Sequence, residues 1–397
     1  MLKNLKDNYR LSLIYFLIVF VIFESIVIIV GDLGREPWGD EHHFVETVKQ
    51  FGTDFSIETL SHYNEMSGPL PFIIYSLWGR AFGFELLILR LLSILIALVS
   101  YTIFHRLLYF TFKNGLAALF ATLFLMIQPY MIGFSIFVFT DGITILFVLS
   151  ALYGLYKNNM HIYGLGMMAA LVSRQFAMFF LIASAIYFIL KGISDSKNML
   201  MASGLAVVPL AGLIFLWSGL SPDNAWRVMY LENGFTFHFN YLVLYVCLMF
   251  VYLFPFVIWN WKKIYYKKFT VIASVILSFM YWFFPVGPSK YDLANNTQTV
   301  GLFNKLLVWV NPAECFDQVV FYICFMLGLP VLITIVSSIW SKVKQKNVDF
   351  ALLLDLSIVS FLVILPFSYL GWEKYFVPLV PILILRLLLL NRRSVKY

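Results

Sequence analysis

The chain has 397 residues, of which 61% are hydrophobic, 19% aromatic and only 12% charged. A soluble domain carries about 25% charged residues, so this composition excludes an ordinary soluble enzyme and points to a polytopic helical membrane protein. The net charge of +7 is then an orientation signal spread over loops, not a nucleic-acid footprint.

Apolar segments fall at 11–31, 85–108, 115–131, 135–156, 161–173, 176–190, 200–218, 239–259, 269–286, 317–338, 350–370 and 374–391. A span needs about 20 apolar residues, and this series predicts an all-α bundle of about 12 transmembrane helices forming one domain over 1–397. The basic leader "MLKNLKDNYR" precedes a run too long for the core of a cleaved signal peptide, so the first span is read as uncleaved.

Most of the 28 basic residues sit on short connections: Lys3, Lys6 and Arg10; Arg106 and Lys113; Lys157; Lys191 and Lys197; Lys262, Lys263, Lys267 and Lys268; Lys342, Lys344 and Lys346; Arg392, Arg393 and Lys396. The long connections 32–84, 219–238 and 287–316 are poor in them. The positive-inside rule therefore predicts cytoplasmic termini and long loops on the outer or lumenal side. The alternation holds if Arg174–Gln175 breaks 161–190 into two passes. The lean loops fit a prokaryotic cell membrane.

The first outer loop opens "GDLGREPWGDEHHFVETVKQFG". Phe44, Val48 and Phe51 recur at helical spacing behind Asp40 and Glu41, acids that suit a helix N-terminus. A short interfacial helix is expected there, and a second in the Pro-led, aromatic stretch 68–84. Between them lie His62, Tyr63 and Asn64 in a polar stretch.

Asp40 and Glu41 are candidate catalytic acids: a carboxylate partly withdrawn from water can take a proton from a sugar hydroxyl. Adjacent carboxylates diverge, so one can face a substrate while the other binds backbone or a base. His42, His43 and His62 match no metal-ligand spacing and are read as hydrogen-bonding or stacking on a sugar. Arg174, Arg90 and Lys374 come to the outer side, where a guanidinium or ammonium can grip a phosphate; ion pairing with Asp141 or Glu85, or snorkelling to head groups, is the structural alternative. Glu24 and Asp355 lie within spans and mark either an ion path or helix–helix hydrogen bonds. Cys247, Cys315 and Cys324 form no disulfide or zinc pattern.

The acidic pair after the first span, followed by "GPLPFIIYSLWGRAFGFELLILRLLSIL" and the late "EKYFVPLVPIL", resembles the GT-C superfamily of membrane glycosyltransferases. Within it the chain looks most like the alpha-1,2-glucosyltransferases that take glucose from dolichyl phosphate glucose to cap a lipid-linked oligosaccharide. Asp40, Glu41 and His43 stand in that family's "DE-x-x-H"-like signature. "FTD" gives Thr140 and Asp141, "SRQ" gives Arg174 and Gln175, and "GFTFHFNYLVLY" gives His238. The family's late "DNRHY" element has only a loose echo in "YDLANNTQ", residues 291–298.

The resemblance implies a polyprenyl-phosphate hexose donor held in the lipid bilayer and a lipid-linked or cell-surface glycan acceptor. It implies inversion with Asp40 as base, and no metal or cofactor. Substrate contacts would come from His42, His43, Asp141, Arg174, Gln175, Arg90, His238 and Lys374. Two other readings keep the membrane bundle: a flippase or transporter of a lipid-linked or anionic substrate, and a non-catalytic subunit of a glycan-assembly complex.

Overall fold

A computed structural model describes residues 7–224, 227, 236–288, 299–313, 315–368 and 370–391. Lys3, Lys6, Arg392, Arg393, Lys396 and the 291–298 stretch lie outside the described residues, as do parts of the 219–238 and 287–316 loops. The described residues are helical, without strands.

The first five helices are α1 (Tyr9–Gly31), α2 (Glu41–Thr53), α3 (Ile57–His62), α4 (Leu70–Phe82) and α5 (Leu86–Phe112). Then follow α6 (Gly115–Met126), α7 (Pro129–Ile136), α8 (Thr140–Tyr156), α9 (Met160–Ser173), α10 (Met178–Lys191) and α11 (Lys197–Trp217). The remainder are α12 (Phe239–Val251), α13 (Phe254–Trp259), α14 (Trp261–Tyr265), α15 (Lys268–Ser278), α16 (Leu302–Val310), α17 (Phe316–Lys344), α18 (Phe350–Ile364) and α19 (Val380–Leu390).

Each expected apolar segment is helical, but among the described residues only five helices are long and apolar enough to cross a membrane: α1, α5, α11, α17 and α18 with the 3-10 turn that extends it. A sixth arises if α6 and α7 count as one bent span. The expected 115–131 span ends early for a local reason. Gln128 precedes Pro129, which drives it out of the helical region (φ −63°, ψ 130°), and the chain turns by 78°. The helix expected over 135–156 accordingly starts at Thr140, after α7.

The chain divides into two compact units, residues 1–178 with 196–232, and residues 179–195 with 233–397. In the first unit, α2 forms where the Phe44, Val48 and Phe51 spacing predicted it, and all three are buried. The Phe44 and Phe51 rings build an aromatic cluster with Tyr63, Phe72 of α4 and Trp217 of α11. Phe72 stacks on Phe51 at 6.3 Å, Tyr63 meets Phe51 at 5.3 Å, and Trp217 meets Tyr63 at 6.2 Å. The Trp217 indole N–H also donates to the Leu60 carbonyl at 2.8 Å. The 32–84 connection is thus a packed layer, anchored by aromatic pairs worth about 0.5–1.5 kcal/mol each beyond their buried area. Helices α8 and α9 pack at backbone contact: a Cβ on Gly166 would lie 2.7 Å from the Ala151 amide nitrogen.

In the second unit, Glu373 is fully buried and caps α16, accepting from the Phe303 amide at 2.8 Å, the Asn304 amide at 3.0 Å and the Tyr252 hydroxyl at 2.8 Å. Asp355 on α18 pairs with Arg386 on α19, and Ser338 on α17 donates to Asp355 at 2.7 Å. In the first unit, Glu24 accepts from Ser135 at 3.1 Å. Both embedded acids are therefore helix–helix partners, the second of the two roles their positions allow.

Candidate active site

The first unit gathers four backbone segments around the expected acids. They are the start of α2, the 63–68 turn, the 137–141 turn and the break at 173–175. All the expected site residues except His238 and Lys374 lie on them or on α5.

Glu41 holds this arrangement together. Its carboxylate is fully buried. Oε1 accepts from the Val138 amide at 2.9 Å and from Arg90 Nε at 3.0 Å; Oε2 accepts from the Trp38 amide at 3.1 Å and from Arg90 Nη2 at 2.6 Å. Arg90 is equally buried, and its remaining N–H groups go to the carbonyls of Leu33 (2.6 Å), Arg35 (2.7 Å) and Glu36 (3.3 Å). A guanidinium has five donors, and these contacts occupy them all. Both residues depart from expectation for one reason. Glu41 has no oxygen turned to a substrate and Arg90 has no donor left for a phosphate, because each is the other's buried counter-charge.

Asp40 precedes Glu41 at the N-cap position of α2, yet its side chain makes no cap hydrogen bond and is 40% exposed. Successive helical residues diverge by about 100°, which is why one acid can be buried while its neighbour faces out. The same divergence separates the histidines. His42 is exposed. His43 turns inward, with Nδ1 2.5 Å from Glu65 Oε1 and Nε2 3.9 Å from Asp40 Oδ1. Burial pulls the His43 imidazole down, but the facing carboxylates of Asp40 and Glu65 outweigh it and raise its pKa to about 9. Burial holds Glu65 above the usual carboxylate range, against the pull of His43 and Arg174.

Asp141 and Arg174 form a buried pair, Arg174 Nη2 donating to Asp141 Oδ2 at 2.9 Å. The charge of Arg174 is also felt at Glu65. Arg174 is extended (φ −147°, ψ 121°) because it ends α9 before the 3-10 turn Gln175–Ala177, so the break expected there is present. Gln175 acts as a latch, its Nε2 donating to the carbonyls of Met66 (3.1 Å) and Leu220 (2.8 Å). The Gly68 amide closes the same junction on the Ser173 carbonyl at 3.0 Å. Only glycine fits there, since a Cβ would fall 1.9 Å from the Val172 carbonyl oxygen.

Glu65 is the residue that sequence reasoning missed. It lies in a polar stretch with no periodicity, and its sole signal is an acid two residues before the small pair Ser67–Gly68. His62 pairs with Glu58 at 3.4 Å, apart from the other histidines. Among the described residues no group of three or more His, Cys, Asp or Glu side chains is arranged to hold a metal.

His238 and Lys374 belong to the second unit. The His238 amide donates to the Pro366 carbonyl at 2.9 Å, and burial lowers the pKa of its imidazole. The Lys374 ammonium lies over the rings of Trp372 (5.3 Å) and Tyr375 (5.6 Å).

No protein-family model matches the chain, and no curated protein matches it. Two solved structures of ArnT from Cupriavidus metallidurans are similar across 93% of this chain and 77% of that one. The apo form aligns at 14% identity with a TM-score of 0.43. The form bound to undecaprenyl phosphate aligns at 12% identity with a TM-score of 0.43. Likenesses this distant assign no activity.

Proposed function

We propose that this chain is an inverting GT-C-like membrane glycosyltransferase. It moves a hexose, glucose by its family resemblance, from a polyprenyl-phosphate donor to a lipid-linked or cell-surface glycan acceptor. The observation that carries the reading is the division of labour between neighbours: Glu41 is sealed into a rigid buried network, while Asp40 emerges from that network 40% exposed. A fixed scaffold that delivers one accessible carboxylate is what a general base needs.

In this mechanism an acceptor hydroxyl attacks the anomeric carbon on the face opposite the phosphate. Asp40 takes the hydroxyl proton as the new C–O bond forms. The bond to the lipid phosphate breaks, and its electron pair stays with the phosphate. Arg174, oriented by Asp141, supplies fixed positive charge for that leaving group. In this reading the exposed His42 contacts the acceptor sugar. The site faces the outer side of a prokaryotic cell membrane, with the termini in the cytoplasm.

The transporter reading loses its main support, because Glu24 and Asp355 hydrogen-bond across helices instead of facing a path. The test is transfer of labelled sugar from a panel of polyprenyl-phosphate hexoses to total lipid and glycan acceptors. Wild type transfers from one donor, and Asp40→Asn loses about 10²–10⁴-fold. Equal transfer by both would remove Asp40 as base, and no transfer from any donor by folded wild type would leave the transporter and subunit readings.

A further inference from the structure

Asp40 and His43 are three residues apart at the start of α2, so their side chains leave the same face. His43 bridges Asp40 on one side, at an ion-pair separation of 3.9 Å, and Glu65 on the other, at 2.5 Å. Glu65 comes from a separate segment and is itself held in place. It is 5% exposed, and its amide donates to the Tyr63 carbonyl at 3.0 Å. Asn224 Nδ2 donates to the Tyr63 carbonyl at 3.1 Å and to the Glu65 carbonyl at 3.2 Å. The imidazole is fixed too, edge-on to Phe44 at 4.7 Å.

We infer that Glu65 and His43 are positioning residues for Asp40. Glu65 orients the His43 ring, and His43, carrying a proton on each nitrogen, holds one oxygen of Asp40 so that the other faces the acceptor hydroxyl. This inference rests on Asp40 being the general base. During transfer the acceptor proton goes to Asp40, and His43 keeps both of its protons and takes part in no bond change.

The charges around the ring agree. Asp40 and Glu65 face it directly, Arg174 and Asp40 act on Glu65 in opposite directions, and Glu65 in turn raises the Tyr63 hydroxyl. Behind α2, the Arg80 side chain of α4 is turned to the carbonyls of Phe51 and Gly52, at the far end of the helix. With two carboxylates against one imidazole, the protonated ring persists through neutral pH.

The experiment uses the full chain in detergent with isotope-labelled histidine, followed by NMR across pH, beside the transfer assay. His43→Gln removes and so assigns the His43 signal. Glu65→Gln and Asp40→Asn each lower its pKa by about one unit or more. In transfer, Glu65→Gln lowers kcat about tenfold to a hundredfold with KM unchanged. It also moves the basic limb of the kcat–pH profile down from near pH 9, the limb set by loss of the ring proton. A merely structural role would reduce the folded fraction and leave that limb where it is. A His43 pKa that ignores Asp40→Asn overturns the bridge, and a wild-type kcat flat through pH 9 overturns the positioning role while leaving Asp40 as base. Full transfer by Asp40→Asn sinks the base and the positioning role together, and the NMR shifts distinguish that outcome from a failed bridge.

Discussion

Arg90 directs two guanidinium N–H groups at Glu41 and the other three at the carbonyls of Leu33, Arg35 and Glu36. Removing one partner of such a pair leaves an uncompensated charge, at a cost of about 3–5 kcal/mol. Glu41→Ala and Arg90→Ala are therefore expected to lower thermal stability in detergent sharply. Asp40→Asn, at a 40% exposed side chain, removes one of the two carboxylates facing His43 and should cost clearly less than either of these. An unfolding scan of the three variants checks this, and a stable Arg90→Ala would contradict the buried network.

Gly68 offers a second test. Because its Cβ position lies 1.9 Å from the Val172 carbonyl oxygen, Gly68→Ala must push the 63–68 turn off the Arg174 break. Overpacking of this kind costs about 1–3 kcal/mol. Hydrogen exchange should rise at the Gly68 amide, which donates to Ser173, and transfer should fall even where the protein remains folded.

The pH dependence of stability has a fixed sign. His43 has a folded pKa raised from 6.5 to about 9. Its stabilisation is fully present below pH 6.5 and is lost as pH rises through about 9. Glu65, also raised by burial, adds a decline of the same sign that begins lower, above its ordinary carboxylate value of 4.5. The melting temperature should decline across that interval, and His43→Gln should flatten the decline. A melting temperature that rises there in wild type would contradict the pairing.

Asp355 and Arg386 separate a structural role from transport. Single replacements leave one buried charge alone, so Asp355→Leu and Arg386→Met should each destabilise by about 3–5 kcal/mol, whereas the double replacement should be close to neutral. Transfer by the folded double variant should match wild type. Complete loss of activity in a stable double variant would return these residues to a functional path.

Much of the candidate site was legible in the sequence, for physical reasons that differ residue by residue. The Phe44, Val48 and Phe51 spacing announces α2 because burial on one face imposes the helical period. The helix expected in 68–84 starts at Leu70, with Pro69 at its N-cap and Pro71 in its first turn, as a Pro-led stretch should. Asp141 and Arg174 were named as possible ion-pair partners and meet at 2.9 Å. Glu65 stayed hidden because its meaning depends on His43, a partner in another segment, and no periodicity marks such a pair. Arg90 reads in the sequence as an outer-side cation, not as the partner of Glu41, since the side-chain direction at a helix start is undetermined there. The 115–156 region misled by composition: hydropathy runs smoothly across Gln128–Pro129, and the bend there is a matter of backbone sterics.

The Glu41 network has a consequence for genetics. On the proposed mechanism, a colony screen scored only for product would rank Glu41 and Arg90 beside Asp40, because losing any of them lowers output. Under that mechanism the three phenotypes have different origins: two are missing girders and one is a missing tool. Antibody or fluorescence readout of folded protein, recorded on the same colonies, would sort them in a single pass.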